Sequence, residues 1–273
     1  MNVKRTLQWL ALAVAVIAAL IPIVWMIETS LKSNREISQD GTLYPHGLTL
    51  ENYRGLFVGR EFGSYLFNSI GITAISVTIS LVIGSLGAYA LARFRTWRNM
   101  AGYLGVSLLI ARILPPIVII VPGFLSMERL HQLDSWIGLI VVYSAFNVSF
   151  VVWMMESFFR EIPVDLEEAA MVDGDSRLTA FRRIVLPLAA PGLVATAIFA
   201  TIVTYNEFLF ALVLTATPDA QTMPVGAATL IGRINIDLGG MSAAGVIGAA
   251  PIVIFALLVQ RHLVRGLTMG AVK

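Results

Sequence analysis

One polar segment, residues 156–187, differs from the rest of this apolar chain. It holds seven of the seventeen acidic residues and four of the sixteen arginines. The acids and arginines alternate with small and apolar residues instead of forming a single charge run. A segment of this length, polarity and patterning predicts a surface on which a soluble partner protein docks.

The local signals in this segment predict a helix–turn–helix elbow. Pro163 ends the preceding helix, and Asp165 followed by Glu168 three residues later is a capping-box pattern. Gly174 lies where the short helix must end, at a position suited to positive φ. A second short helix is predicted over about residues 176–185.

The faces of the elbow predict what each side contacts. Glu167, Glu168 and Asp173 are expected to remain available to water or to a partner. A small apolar face is supplied by Leu166, Ala169, Ala170 and Val172. The alternative is a solvated amphipathic linker with no partner.

Two ionisable residues, Arg112 and Glu207, interrupt long apolar stretches. A charged side chain within a membrane is costly, so each is a candidate functional residue. With Tyr205 and Asn206 they could line a path for a hydroxyl-rich solute, which needs charged and amide hydrogen-bond partners. The alternative is an ion pair inside the helix bundle, or a side chain that reaches the membrane interface.

Several kinds of chemistry find no support in the sequence. The chain has no cysteine, which excludes disulfides, thiolate metal sites and thiol catalysis. It has no phosphate-binding G-x-x-x-x-G-K-[ST] loop, and its three histidines are scattered at His46, His131 and His262. We therefore expect a chain that is not an enzyme, holds no cofactor or metal, and takes energy from a separate subunit if it is ATP-driven.

The elements that position these residues are membrane spans. Of the 273 residues, 57% are hydrophobic and only 13% are charged, about half the charged fraction of a soluble domain. A span needs about 20 apolar residues. The sequence predicts a single all-α membrane domain over residues 1–273, with six spans at about 7–27, 65–92, 101–126, 135–156, 187–214 and 240–262 and a cytoplasmic loop at about 160–187.

The basic residues predict the orientation of the spans. Twelve of the nineteen lie on the side of both termini and of the 156–187 segment, and six lie on the other side. Short cytoplasmic loops are enriched in Lys and Arg. Both termini are therefore expected in the cytoplasm.

A stripe of small residues recurs every four positions in the second span. Ser80, Gly84, Ala88 and Ala92 form a face that lets two helices approach closely. Packing is the simplest interpretation, either within this chain or against another subunit.

The spacing within the elbow resembles a known family. Glu168-Ala169-Ala170, then Gly174, Ile184 and Pro187, match at every spacing the EAA loop of binding-protein-dependent ABC importer permeases. The stretch LEEAAMVDGDSRLTAFRRIVLPLAAPGL is similar to the MalG-type sugar permeases of that family. Further matches in the same order are LTLENYRGLF, AYALARF, YNEFLFA and GLTMGAVK, so the resemblance covers essentially the whole chain.

The resemblance implies a coupling role for the elbow. In this family the EAA helix lies in a cleft of a cytoplasmic ATPase, where its glutamate pairs with a basic residue. Carried over, Glu168 is that anion, and the small residues beside it permit the close fit. The coupling residues implied are Glu168, Ala169, Ala170, Asp173, Gly174, Ile184 and Pro187.

The resemblance also implies the fold and the partners. The fold is a six-span, type I ABC importer permease in a bacterial inner membrane, forming half of a path for a sugar. The partners are a second, MalF-like permease, an ATPase dimer that binds ATP and Mg²⁺, and an external solute-binding protein. Family members use the loop before the sixth span for docking the binding protein, here about residues 216–242.

Three alternatives remain at this point. A permease of the same fold could carry glycerol 3-phosphate or another polar solute. A proton-coupled secondary transporter could use Glu207 and Arg112, although this leaves the spacing over residues 168–187 unexplained. A purely structural membrane subunit is disfavoured by the two intramembrane charges.

Overall fold

The computed structural model describes residues 3–39, 46–94, 114–232 and 237–270, together with Tyr103, Ser107 and Ile110. This part of the chain is helical and contains no β-strand. Its helices are α1 (Val3–Ser30), α2 (Asn34–Gln39), α3 (Glu51–Gly59), α4 (Phe62–Arg93), α5 (Pro116–Arg129), α6 (Trp136–Glu161), α7 (Asp165–Val172), α8 (Arg177–Ala180), α9 (Leu186–Leu188), α10 (Ala190–Tyr205), α11 (Leu209–Leu214), α12 (Met223–Ala228) and α13 (Leu238–Gly270). A π-helical turn, Phe181–Val185, joins α8 to α9.

Several of these helices are long and apolar enough to cross a membrane. Among the described residues these are α1, α4, α6 and the first 22 residues of α13. A further span arises if Arg177–Leu188 and Ala190–Tyr205, which meet at a bend of 74°, are counted as one. The predicted third span, about residues 101–126, lies partly outside the described residues, so the number six stays a prediction.

The described chain divides into two compact units, and the first comprises residues 1–66 with 223–251. Its core contains Leu56, Phe62, Tyr65, Met223, Leu230, Ala243 and Ala244. The side-chain amide of Asn52 donates to the carbonyls of Ser30 (2.9 Å) and Lys32 (2.8 Å), which satisfies the backbone just after α1. Gly226 lies against the ring of Tyr65, where a Cβ would clash with a ring carbon.

The second unit comprises residues 67–222 with 252–273 and holds the elbow. Its core joins α4, α6 and the elbow through Ala88, Tyr89, Val151, Val152, Met155, Phe159, Phe181, Val185 and Ala189. The three rings of Tyr89, Phe159 and Phe181 contact one another at centroid distances of 4.6–6.0 Å. This core fixes the elbow against the ends of two spans.

The small-residue stripe of α4 packs within the chain. Ser80 donates to the carbonyl of Ser144 at 3.2 Å. At Gly84 a Cβ would come within 2.6 Å of the Val151 side chain. Ala88 is fully buried in the core of the second unit. The close approach predicted for this face is confirmed, and its partner is α6.

The predicted fifth span is not one helix. The chain bends at Ala189, near the start of the predicted span. The helix is interrupted again between α10 and α11, at residues 206–208. Glu207, one of the two predicted intramembrane charges, lies in this second break.

Candidate functional site: an elbow and a broken span

The first arm of the elbow begins one residue earlier than predicted. Val164 is the N-cap residue and already has helical dihedrals, φ −65° and ψ −32°. Asp165 therefore lies inside the first turn, and no side chain caps the helix. The predicted capping box was wrong because an N-cap residue needs non-helical backbone for its side chain to reach the N–H groups ahead of it.

The turn of the elbow forms as predicted. Gly174 has φ +99°, a conformation that costs a residue with a Cβ far more than glycine. Its N–H donates to the carbonyl of Met171 at 3.2 Å, and the N–H of Asp175 donates to the carbonyl of Ala170 at 3.0 Å. These two bonds are the Schellman pattern of a helix C-terminus, which accounts for the glycine at this position.

A buried ion pair attaches the first arm to the second span. Glu167 is 3% exposed, and it accepts hydrogen bonds from the hydroxyl of Tyr89 (2.6 Å) and the Nε of Arg93 (2.5 Å). Arg93 also donates to the carbonyl of Ile162 at 2.9 Å. The carboxylate and guanidinium thus neutralise each other and satisfy further polar atoms, the condition under which buried charges are tolerated.

The prediction that Glu167 remains available to water or to a partner was wrong. Glu167 faces inward while its neighbour Glu168 is exposed, because adjacent helix positions lie about 100° apart. A signal for the inward partner was present: Tyr89 and Arg93 are four residues apart, so they share a face of α4. Nothing in the sequence paired that face with residue 167.

The outward face of the first arm is small, apolar and acidic. Val172 is 87% exposed and Leu166 is 43% exposed. Glu168, Ala169 and Asp173 are exposed beside them, whereas Ala170 is buried against the protein. Of the residues that the resemblance implicates, Ala170 therefore contributes to packing inside this chain.

The second arm leads from the turn into the fifth span. Ser176 begins it, and its hydroxyl accepts the N–H of Thr179 at 3.3 Å. Phe181 and Val185 are buried in the core, Ile184 is half-buried, and Pro187 is exposed just before the bend at Ala189. The predicted helix–turn–helix elbow is confirmed, with a π-helical turn inside its second arm.

The break in the fifth span is held by Glu207. Its carboxylate accepts the N–H groups of Leu209, Phe210 and Ala211 at 2.8–3.2 Å. It also accepts the hydroxyl of Tyr143 at 2.8 Å. Three of the four unpaired N–H groups at the start of α11 are thereby satisfied, so Glu207 has a structural role within the bundle.

The residues beside Glu207 differ in their exposure. Asn206 is exposed, and its amide nitrogen donates to the carbonyl of Ile202 at 2.8 Å. Tyr205 is 6% exposed, and its hydroxyl has no hydrogen-bond partner among the described residues. Arg112, the fourth predicted path residue, lies outside the described residues. Tyr205, Asn206 and Glu207 are consecutive in the chain, and the structure places a break in the span at these positions.

A second carboxylate of the same kind lies outside the spans. Asp134 accepts the N–H groups of Ala216 (2.9 Å) and Thr217 (3.0 Å) and the hydroxyl of Thr217 (2.7 Å). Burial raises the pKa of Asp134, but these hydrogen bonds lower it by more, so the pKa lies below the ordinary 3.8. These hydrogen bonds connect the loop between α5 and α6 to the segment that follows α11.

The loop predicted to dock the binding protein, about residues 216–242, is described except for residues 233–236. Within the first unit, Arg60 and Asp237 form an ion pair at 2.9 Å. Asp237 also accepts the N–H of Gly240 at 2.8 Å and so caps α13. Over the described part of the chain, no cluster of His, Asp and Glu is suited to hold a metal ion.

Comparison with known proteins identifies the family. Residues 80–269 match the family described as "Binding-protein-dependent transport system inner membrane component". The chain is 41% identical to the trehalose transport system permease protein SugB of Mycobacterium tuberculosis, with 100% of both chains covered. It is 36% identical to the trehalose/maltose transport system permease protein MalG of Thermococcus litoralis, covering 99% of this chain and 97% of that one.

A solved structure has the same fold. A bacterial ABC transporter chain involved in the import of the acidic polysaccharide alginate superposes with a TM-score of 0.79, at 23% identity, over 95% of this chain and 96% of that chain. This agrees with the predicted all-α permease fold. The chain therefore belongs to the family of binding-protein-dependent transport system inner membrane components, as a transport subunit and not as an enzyme.

Proposed function

We propose that this chain is the permease subunit of an ATP-driven importer and forms half of the translocation path for a sugar. Its family depends on a binding protein, and two relatives that match it along almost their whole length are named for trehalose or maltose transport. A disaccharide or a related oligosaccharide is the solute class that these relatives support. ATP and Mg²⁺ would bind to a partner ATPase.

The observation that carries the proposal is the contrast between the two faces of α7. The inner face is attached to α4 through Glu167 and Arg93, and the outer face presents Glu168 and Ala169 to the surroundings. A helix attached in this way transmits a displacement, whereas a flexible loop would absorb it. We infer that the ATPase binds the outer face, with Glu168 pairing with a basic residue.

A second permease would cover helix α1. The most apolar stretch of α1 has no buried residue in this chain. In the corresponding stretches of α4 and α6, 39% of the residues are buried. In a bilayer, lipid or another subunit can cover such a helix. We propose that a second, MalF-like permease does so, in a bacterial inner membrane with both termini of this chain in the cytoplasm.

The break at residues 206–208 is the proposed contribution to the sugar path. Discontinuous helices place polar groups at membrane depth, where they line a cavity. Asn206 is the exposed polar residue there, Tyr205 supplies an aromatic ring, and Glu207 holds the break in shape. Arg112 remains a predicted path residue. The loop over about residues 216–242 is the proposed docking site for the external binding protein.

The ATP-driven mechanism is preferred to proton coupling through Glu207. Its carboxylate is already engaged by three backbone N–H groups and by Tyr143. These bonds give the carboxylate a structural role at the start of α11, and the family itself is named for dependence on a binding protein.

The test is co-purification of the tagged chain from native membranes, as wild type and as Glu168→Lys. Reversing one charge of a buried ion pair at an interface costs several kcal/mol, so we expect at least about tenfold less bound ATPase. Glu161→Lys is the matched control, since Glu161 is an exposed acid at the end of α6. Equal ATPase recovery from all three forms would exclude the coupling role of Glu168.

A further inference from the structure

A groove of about 410 Å³ lies between α4 and the second arm of the elbow. Apolar side chains line most of it: Leu81, Val82, Leu86, Leu178, Phe181, Leu186 and Leu193. Three of these are strongly exposed, with Val82 at 57%, Leu86 at 46% and Leu178 at 51%. Apolar side chains exposed in this way on a membrane helix need an apolar neighbour.

One cation, Arg182, lines the same groove. It is exposed and makes no hydrogen bond or ion pair with the described part of the chain. The described arginines around it are all engaged: Arg93 with Glu167, Arg160 with Glu156, Arg183 with Asp175, and Arg177 over the ring of Phe94. Arg182 is thus a guanidinium available to an external anion.

In the membrane orientation proposed above, the part of α4 that lines the groove lies within the bilayer, and Arg182 lies towards its cytoplasmic face. Val82 lies eleven residues before Arg93, the end of α4, which is about 16 Å along the helix. Arg182 lies in the elbow, where the polar segment meets the spans. An apolar channel that ends at a cation matches an amphiphile with an acyl chain and an anionic headgroup.

We propose that this groove binds an anionic phospholipid of the cytoplasmic leaflet, with its phosphate on Arg182 and an acyl chain along Leu81, Val82 and Leu86. Basic pockets between spans on the cytoplasmic side bind anionic headgroups by the same physics. The guanidinium fork suits a phosphate oxygen pair. The inference uses the membrane orientation proposed above and does not depend on which solute is transported.

Occupancy of the groove would stabilise the elbow. Phe181 contacts the groove on one side, and on the other its ring lies 4.6 Å from that of Tyr89, which bonds Glu167. A lipid packed against Phe181 would therefore support the second arm where the first arm is also attached. Coupling between the ATPase and the spans would then depend on the lipid.

The test measures lipid retained by the complete complex after purification in mild detergent and washing. The complex is first equilibrated with vesicles of equal parts phosphatidylglycerol and phosphatidylcholine, and bound lipid is quantified by mass spectrometry. Losing one cation near anionic lipid should reduce phosphatidylglycerol retention by about fivefold in Arg182→Gln. Phosphatidylcholine retention should fall much less, because the choline cation already offsets the charge of its phosphate.

Arg183→Gln is the matched control, because it removes the same charge one residue away, from a side chain that does not line the groove. It should retain phosphatidylglycerol as wild type does. If Arg182→Gln and Arg183→Gln lose equal amounts of phosphatidylglycerol, the lipid responds only to the general surface charge, and the proposal is overturned. Equal retention of the two lipids by wild type would overturn it as well.

A second variant tests the apolar part of the groove and distinguishes lipid from protein. Leu86→Trp fills the groove and leaves Arg182 intact, and we expect it to lower phosphatidylglycerol retention. If it instead releases the second permease while lipid retention stays unchanged, the groove is a subunit interface and the proposal is wrong. Retained lipid does not report on transport, so this outcome is separate from the success or failure of the coupling test on Glu168.

Discussion

Two regions of the molecule hold a glutamate inside the protein, and they neutralise it by different means. In the elbow, Glu167 meets the guanidinium of Arg93 and the hydroxyl of Tyr89, both on α4. In the broken span, Glu207 meets three backbone N–H groups of the helix that follows it, together with Tyr143. One carboxylate connects distant elements, and the other mainly organises its own stretch of chain.

The difference teaches what each carboxylate can transmit. The Glu167 pair joins residues 74 positions apart, so moving α7 must move the end of α4. Most partners of Glu207 lie within four residues, so its main effect is to fix where α11 begins. A coupling element needs the first kind of connection, whereas a break in a span needs the second.

The largest effect is expected from breaking the elbow pair. Glu167→Ala leaves the guanidinium of Arg93 buried without a counter-charge, which should lower the free energy of unfolding by about 3–5 kcal/mol. Thermal unfolding of the purified complex in detergent measures this. Glu161→Ala is the control and should fall within about 0.5 kcal/mol of wild type, as exposed positions do.

The double variant Glu167→Leu with Arg93→Met sharpens the same test. Removing both charges avoids the uncompensated cation, so much of the lost stability should return. ATPase stimulation by the binding protein should nevertheless stay impaired if the ion pair couples the elbow to α4. Full coupling in a stable double variant would show that packing alone transmits the movement.

A smaller effect is expected at the broken span. Glu207→Gln keeps the shape of the side chain but loses the charge that strengthens its bonds to the N–H groups of α11, at a cost of about 1–3 kcal/mol. Tyr143→Phe removes one of those bonds and should cost about 1 kcal/mol. The double variant should be less destabilised than the sum of the two, since both act on one carboxylate. Strict additivity, measured by thermal unfolding, would contradict the shared site.

The smallest effect concerns Asp134, which accepts backbone N–H groups as Glu207 does, but from residues 82 and 83 positions further along the chain. The folded protein holds the pKa of Asp134 below its ordinary 3.8, so the unfolded chain takes up a proton first as the pH falls. The contribution of the Asp134 carboxylate to the free energy of unfolding is therefore present at neutral pH. It is lost as the pH drops through 3.8 towards the lowered pKa. In Asp134→Asn this part of the acid dependence should disappear, with a loss of about 1 kcal/mol at neutral pH. Identical stability profiles between pH 3 and pH 7 would refute this role.

The position and turn of the elbow could be predicted because local rules govern them. Pro163 ends one helix, and Gly174 supplies the positive φ that a Schellman turn requires. The N-terminus was harder to predict, since whether Asp165 or Val164 caps the helix depends on one residue's dihedrals. That choice lies within the uncertainty of any boundary inferred from spacing.

A helix face could be predicted where that helix carried a signal, but the element packed against it could not. The stripe through Ser80, Gly84 and Ala88 indicated close packing, and the structure supplied α6 as the partner. Glu207 was predicted as an intramembrane charge, yet its partners were hidden because a break in an apolar stretch leaves no mark beyond the charge itself. Tyr143 carried no signal that linked it to residue 207.

The sequence by itself determined that this is a membrane protein, where its polar segment turns, and the family to which that spacing belongs. The first two properties follow from composition and from interactions over three to five residues, and the family follows from the resemblance of the motif spacing over residues 168–187. Only the tertiary structure decided that Glu167 faces inward and Glu168 outward, and that Glu207 holds the start of α11. It also decided that Arg182, beside an apolar groove, has no partner in the described part of the chain. The physical reason is that burial and ion pairing depend on residues distant in the chain, such as Arg93 for Glu167, and helix periodicity alone does not specify which face meets them.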